Sequence, residues 1–298
     1  MRPDYQDKWA KWLVHWTDGS TAYISVVFTW LLPQAYSLCT WYVKQGYGVK
    51  AGGPAVALMP DYLSPVAECG GHINALSYHN RFATFTSRGC IRKCEFCAVP
   101  KIEGELVELD DFETKPIICD NNLLACSKRH FDKVVDRFKL LEGIDFNQGL
   151  DARLLEQHHI ERLKELDLSV LRFAWDDVGS ERQVLTAIEA ILRGGFPKSK
   201  VRCYVLYNFH DTLDDALYRC NTLKRMGILP NVQCYQPLDT LKKNSHVDPG
   251  WNKVLLSDFG RYWSKQVWFS PIPFEEYRQR KRKVVVSEAQ DVMDFSIK

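Results

Sequence analysis

Six short β-prone runs recur between residues 81 and 240, with helical stretches between them, and this alternation limits the fold more than any other feature of the chain. The runs are Ala83–Ser87, Pro116–Asp120, Ile144–Gln148, Val170–Trp175, Val201–Tyr207 and Asn231–Gln236. Asp132–Leu141, Leu154–Leu166, Glu181–Leu192 and Leu213–Met226 carry helical spacing. Alternation with short connections predicts a parallel sheet with its helices outside. Catalytic and binding groups then gather at the carboxyl ends of the strands.

The 298 residues, 46% hydrophobic and 26% charged, suffice for one large domain or a domain with a subdomain. A net charge of +2 argues against a molecule that grips polyanions over its whole surface. No apolar run reaches membrane-spanning length, and the N-terminal residues lack a signal-peptide core. Ten cysteines in so core-rich a chain point to a reducing compartment, so the expectation is a cytoplasmic protein with no membrane partner.

Ahead of the alternation, residues 1–20 are expected to form a helix that turns at Asp18–Gly19. Tyr23–Thr29 is expected as a strand, Pro33 opens a helix to about Gln45, and Tyr47–Ala51 is a second strand before the Gly52–Gly53–Pro54 loop. This is the beginning of a βαβ unit, a small truncated Rossmann-like segment. Cys39 and Cys69 are expected as free thiols.

The first β-prone run leads through Arg88–Gly89 into Cys90, Cys94 and Cys97. Three thiolates at this spacing can cap three irons of a cubane cluster and leave the fourth open. A zinc site short of one ligand, or three ordinary cysteines, would give the same spacing.

Cys90-x3-Cys94-x2-Cys97, with Phe96 before the last cysteine, resembles the signature of the radical S-adenosylmethionine (SAM) superfamily. The local string is similar to the methylthiotransferase and cobalamin-domain-associated branches. The resemblance implies a [4Fe–4S] cluster on Cys90, Cys94 and Cys97, with SAM on the free iron through its amine and carboxylate. One electron, from a reductant such as flavodoxin or ferredoxin, would cleave SAM to a 5′-deoxyadenosyl radical. It also implies a six-unit (β/α)6 partial TIM barrel over residues 81–240, after a truncated cobalamin-binding-like segment at 1–80 and before a helical cover and basic tail at 241–298. The Asp-x-His-x-x-Gly run that would ligate cobalamin is absent.

By the same resemblance, cofactor-binding residues lie at successive strand ends. Phe96 flanks the cluster, and Asp120 and Asn122 face SAM or substrate. Gln148 lies near the ribose or substrate and Arg153 near the methionine carboxylate, while Asp176 would accept the ribose hydroxyls and Leu206 would support adenine. Tyr235 and Gln236 could meet substrate. Bland roles stand beside these. Asp120 and Asn122 can form an Asx turn, Asp151 and Arg153 a surface pair, Asp177 a helix cap, and Trp175 core packing. The run Arg278–Lys283 could grip RNA or DNA phosphates or stand solvated. The substrate is then a nucleic-acid base, or alternatively a small metabolite or peptide. A metal-stabilised, non-catalytic nucleic-acid module is the remaining class.

Overall fold

The computed structural model describes residues 8–71, 73–265, 269 and 271–281. The chain builds mixed α/β structure around two larger sheets and a two-stranded ribbon. The first opens with a hairpin of β1 (Val14–Asp18) and β2 (Thr21–Ser25), antiparallel around Gly19. The helix expected over residues 1–20 is therefore not formed in its described part. Trp16 lies directly opposite Tyr23 and stacks on it at 5.2 Å, while Tyr78 covers it at 4.0 Å. Cross-strand aromatic pairing outweighs the helical spacing of Trp12 and Trp16. Residues 1–7 lie outside the described residues.

Helix α1 (Leu32–Lys44) carries the chain to β3 (Gly48–Gly52), which runs parallel to β2. Short helices α2 (Pro54–Leu58) and α3 (Pro60–Leu63) lead to β4 (Glu68–Cys69), parallel to β3. Ile24, Leu32, Ala35, Cys39, Ala51 and Leu63 fill this core. The Gly52–Gly53 pair serves the chain's own packing. A Cβ on Gly52 would lie 2.8 Å from the Ile73 side chain, and one on Gly53, at φ +92°, would lie 2.7 Å from the Val26 carbonyl. Cys39 and Cys69 are free thiols, Cys39 buried and Cys69 only half-buried.

After α4 (Leu76–His79) come β5 (Ala83–Thr84) and β6 (Ser87–Arg88). Helix α5 (Val99–Ile102) follows, and β7 (Val107–Glu108) returns antiparallel to β6. The expected strand Ala83–Ser87 is thus split at Phe85–Thr86. Its second half leaves the large sheet to form a two-stranded ribbon under the cysteine loop. The alternation then continues through β8 (Ile117–Ile118), α6 (Lys128–Phe138), β9 (Ile144–Phe146) and α7 (Gln157–Leu163). It ends with β10 (Leu168–Ala174), α8 (Glu181–Arg193), β11 (Val201–Tyr207), α9 (Leu213–Met226) and β12 (Leu229–Cys234).

These strands form one sheet in the order β5-β8-β9-β10-β11-β12, every neighbouring pair parallel. The sheet is open among the described residues, with β5 and β12 at its edges. One face carries the helices. Val201, Cys203, Val205 and Tyr207 point into them and are buried, whereas Arg202, Tyr204 and Leu206 face the other way and are half-buried. Helix α10 (Lys253–Trp263) extends the helical layer beside β12, where Phe259 lies 4.8 Å from the Tyr207 ring. Asn252 caps its start through the Leu255 N–H, and the helix ends at Trp263. The chain is helical again over residues 274–281.

Candidate metal centre at the strand ends

The cysteine loop leaves β6 through Gly89, whose φ is +72° and whose added Cβ would overlap the Glu105 carbonyl. Only glycine permits that approach. Glu103 fastens the root of the loop. Its carboxylate accepts a two-pronged contact from Arg88 at 3.0 and 2.8 Å, the Gly89 N–H at 2.9 Å and the Asn121 amide at 2.7 Å. The Cys90 N–H donates to Gly104 O at 3.1 Å. From inside the loop, Arg92 reaches Asp151 beyond β9 at 3.1 Å. Charged, bidentate contacts of this kind are the strong class of hydrogen bond, so the loop is held at both ends before any ligand arrives.

All three thiols are free and half-buried. Burial chiefly pushes the Cys94 thiol up, Arg153 opposes this, and Asp176, Cys90 and Asp151 add to it. Burial likewise raises Cys97, against the Val99 N–H and with help from Cys94, Cys90 and Asp176. The thiols therefore feel one another and the strand-end charges. Cys94 and Cys97 thus hold their protons more tightly than a free thiol does.

Four side chains from three successive strand ends converge on the loop. Asn122, after β8, sends its amide to Cys90 Sγ at 3.7 Å and to Asp151 Oδ2 at 3.3 Å. Its own Oδ1 is buried with no hydrogen-bond partner. Asp151, after β9, accepts Arg153 Nε at 2.7 Å, Arg153 Nη2 at 3.0 Å and the Arg153 N–H at 3.1 Å, so it caps the turn Ala152–Leu154 as well. Burial alone would push the Asp151 carboxyl up, but Arg153 and Arg92 outweigh it and hold the group below its ordinary value. Asp176, after β10, is pushed up to about 6. Burial is the main cause and Asp177 adds to it, while Arg219, Arg153 and the Leu206 N–H oppose it.

Among the described residues no three His, Cys, Asp or Glu side chains gather closely enough to hold a metal ion. Two N–H groups are aimed at one sulfur of the loop. The Arg92 N–H lies 3.3 Å from Cys90 Sγ, and the Asn122 amide lies on the same atom.

Other expected site residues are engaged elsewhere. Asp120 is buried and turns away from the thiols. It accepts the Thr86 N–H at 2.6 Å, the Thr86 hydroxyl and the Ser87 hydroxyl at 2.8 Å, which fixes the bend between β5 and β6. Gln148 is exposed. Gln236 closes its own loop, accepting the Asn244 N–H at 2.7 Å and donating to Tyr235 O at 2.8 Å. Phe96 packs edge-on against Phe209 at 5.6 Å, and Tyr235 packs on Phe209 at 4.6 Å. Leu206 stands on the half-buried sheet face. Trp175 is wholly buried in the core, and Asp177 caps the next turn through the Ser180 N–H at 3.0 Å. In the basic run, Arg278 and Lys281 both pair with Asp258, and Arg280 pairs with Glu276. Arg282 and Lys283 lie outside the described residues.

Sequence reasoning missed two organising residues. Glu103 stands between Ile102 and Gly104, with no motif around it that marks its grip on the loop root. Arg219 is fully buried on α9. It pairs with Asp211 and donates to the carbonyls of Trp175 at 2.9 Å and of Asp176 and Leu206 at 2.8 Å. Its place four residues after Asp215 in an amphipathic helix gives no hint of that reach.

No family model matches the chain, and no curated protein matches it either.

Proposed function

We propose that the chain is a radical SAM enzyme, in which Cys90, Cys94 and Cys97 hold a [4Fe–4S] cluster and the neighbouring strand ends bind SAM. One observation carries this reading: the only C-x3-C-x2-C loop in the sequence meets Asn122, Asp151, Arg153 and Asp176, which follow successive strands of one parallel sheet. The cluster and SAM would supply the electron transfer and the carbon radical, chemistry that side chains do not provide. Six parallel strands in sequence order suit a (β/α)6 partial barrel, whose interior would be the face bearing Arg202, Tyr204 and Leu206.

The chain's own residues bind, orient and shield. Asn122 Oδ1, a buried acceptor lacking a donor, would take an N–H of the methionine amine. Arg153 would share its guanidinium between Asp151 and the methionine carboxylate. Asp176 would accept the ribose hydroxyls, and Leu206 would lie against adenine. Arg219 keeps the Asp176 and Leu206 backbones in register beneath them. Asp120 acts one step back, by setting the bend that launches the loop.

The test is SAM binding to anaerobically reconstituted protein. Asn122→Ala and Asp176→Ala are each expected to weaken SAM binding by about tenfold with iron content unchanged. Unaltered affinity in both variants would contradict the assignment.

A further inference from the structure

A row of rings runs outward from the cysteine loop. Phe96 meets Phe209 at 5.6 Å, Phe209 meets Tyr235 at 4.6 Å, and Tyr235 meets His246 at 5.2 Å. Buried Asn208 ties this row together. Its amide donates to Tyr235 O at 3.4 Å and His246 O at 3.2 Å, and its Oδ1 accepts the Asp248 N–H at 2.8 Å. The loop between these points, closed by Gln236, ends against the first sheet. There Thr29 Oγ1 donates to Thr240 O at 2.6 Å, and Lys243 Nζ stands 5.6 Å from the centre of the Trp30 ring.

At this junction Phe28 and Trp30 stack 4.5 Å apart and 9° from parallel. The stack is open on one side: Phe28 is 47% exposed and Trp30 is half-buried, with the neighbouring Val27 36% exposed. Leu241, Lys242 and Lys243 are exposed beside it. Flat rings with an open side, flanked by two adjacent lysines, combine the two interactions that single-stranded nucleic acid requires. Bases stack on rings whatever their identity, and ammonium groups meet phosphates. A protein partner fits less well, because lysine is depleted where protein interfaces are driest. The basic run is the weaker candidate, since Arg278, Arg280 and Lys281 are already paired with acids of the chain.

We propose that Phe28, Trp30, Lys242 and Lys243 form a binding surface for single-stranded nucleic acid, with the Tyr235–Phe209–Phe96 row leading inward to the cysteine loop. The inward direction rests on the reading of that loop as a reaction centre; the binding surface itself does not.

The experiment is a fluorescence-anisotropy titration of the full chain with labelled oligouridylate and oligothymidylate over a range of KCl concentrations, with and without bound iron. Binding that weakens with salt is expected. Phe28→Ala should weaken it by about tenfold. The double variant Lys242→Glu/Lys243→Glu should weaken it further and lower the salt slope by about 1.4, or about 0.7 for each single-strand phosphate that is no longer neutralised. Absence of binding, binding untouched by all three substitutions, or a patch that instead joins two copies of the chain would each overturn the proposal. Oligonucleotide binding that persists in a protein unable to cleave SAM would overturn the enzymatic reading and leave this surface standing.

Discussion

Asp176 carries a charge that its surroundings disfavour. Its folded value of about 6 lies above the unfolded value of about 3.9, so the folded chain binds that proton more tightly. Folded stability therefore falls as pH rises from about 4 to about 6, and the loss is complete above that range. Full conversion of the shift gives about 3 kcal/mol, and solvent at this half-buried group cuts it to about 1–2 kcal/mol. Asp176→Asn keeps an acceptor for the Leu206 N–H and removes the charge. Urea unfolding should show it more stable than the parent by about 1–2 kcal/mol at about pH 7.5 and equal at about pH 4. A variant less stable at the higher pH would contradict this account of the carboxylate. Glu103 is the opposite case, a charge that is fully used. Glu103→Ala strands Arg88, the Gly89 N–H and the Asn121 amide, and should cost about 2–4 kcal/mol in unfolding free energy together with loss of iron binding. A cost below about 1 kcal/mol would show that the loop is held by other means.

Among the elements, α9 does more than cover the sheet. Through Arg219 it grips the carboxyl ends of β10 and β11 together, where Asp176 and Leu206 emerge. Arg219→Ala leaves four carbonyls and the Asp211 carboxylate without that partner, and is expected to cost about 3–5 kcal/mol, measured by urea unfolding. A near-neutral result would mean that the strand ends are aligned without it. Such elements differed in how far the sequence revealed them. β11 was legible at both ends, because one face is continuously buried and its alternation is unbroken. The α9 boundaries were legible too, since Thr212 and Asp215 form a capping box and Gly227 ends the helix. β1 was not, because Trp12 and Trp16 mimic helical spacing while the true partner of Trp16 lies across a hairpin. The split of β5 from β6 was also hidden, since it depends on Asp120, more than thirty residues away in sequence, drawing on Thr86 and Ser87. The cysteines could be seen from spacing alone. The grip of Glu103 and Arg219 could not, because each satisfies backbone groups that only the fold brings near.

For the molecule as a whole, two sheets meet beside one loop. The ribbon of β6 and β7 carries the thiols, the large sheet supplies the strand-end polar groups, and the segment after β2 contributes the Phe28–Trp30 stack at the junction with residues 240–243. On the function proposed above, this placement would lead from an open surface to a half-buried reaction centre, as a radical reaction shielded from water requires. Cys94→Ala is expected to abolish iron retention in the purified chain while leaving the secondary structure intact, checked by iron analysis and circular dichroism. Retained iron would place the metal elsewhere. The most direct measurement is anaerobic turnover with dithionite and SAM, in which 5′-deoxyadenosine is quantified beside iron and sulfide in the same sample. The account predicts 5′-deoxyadenosine from the iron-loaded parent and none from Cys94→Ala. An iron-loaded parent that leaves SAM intact, or a Cys94→Ala protein that cleaves it equally well, would contradict it.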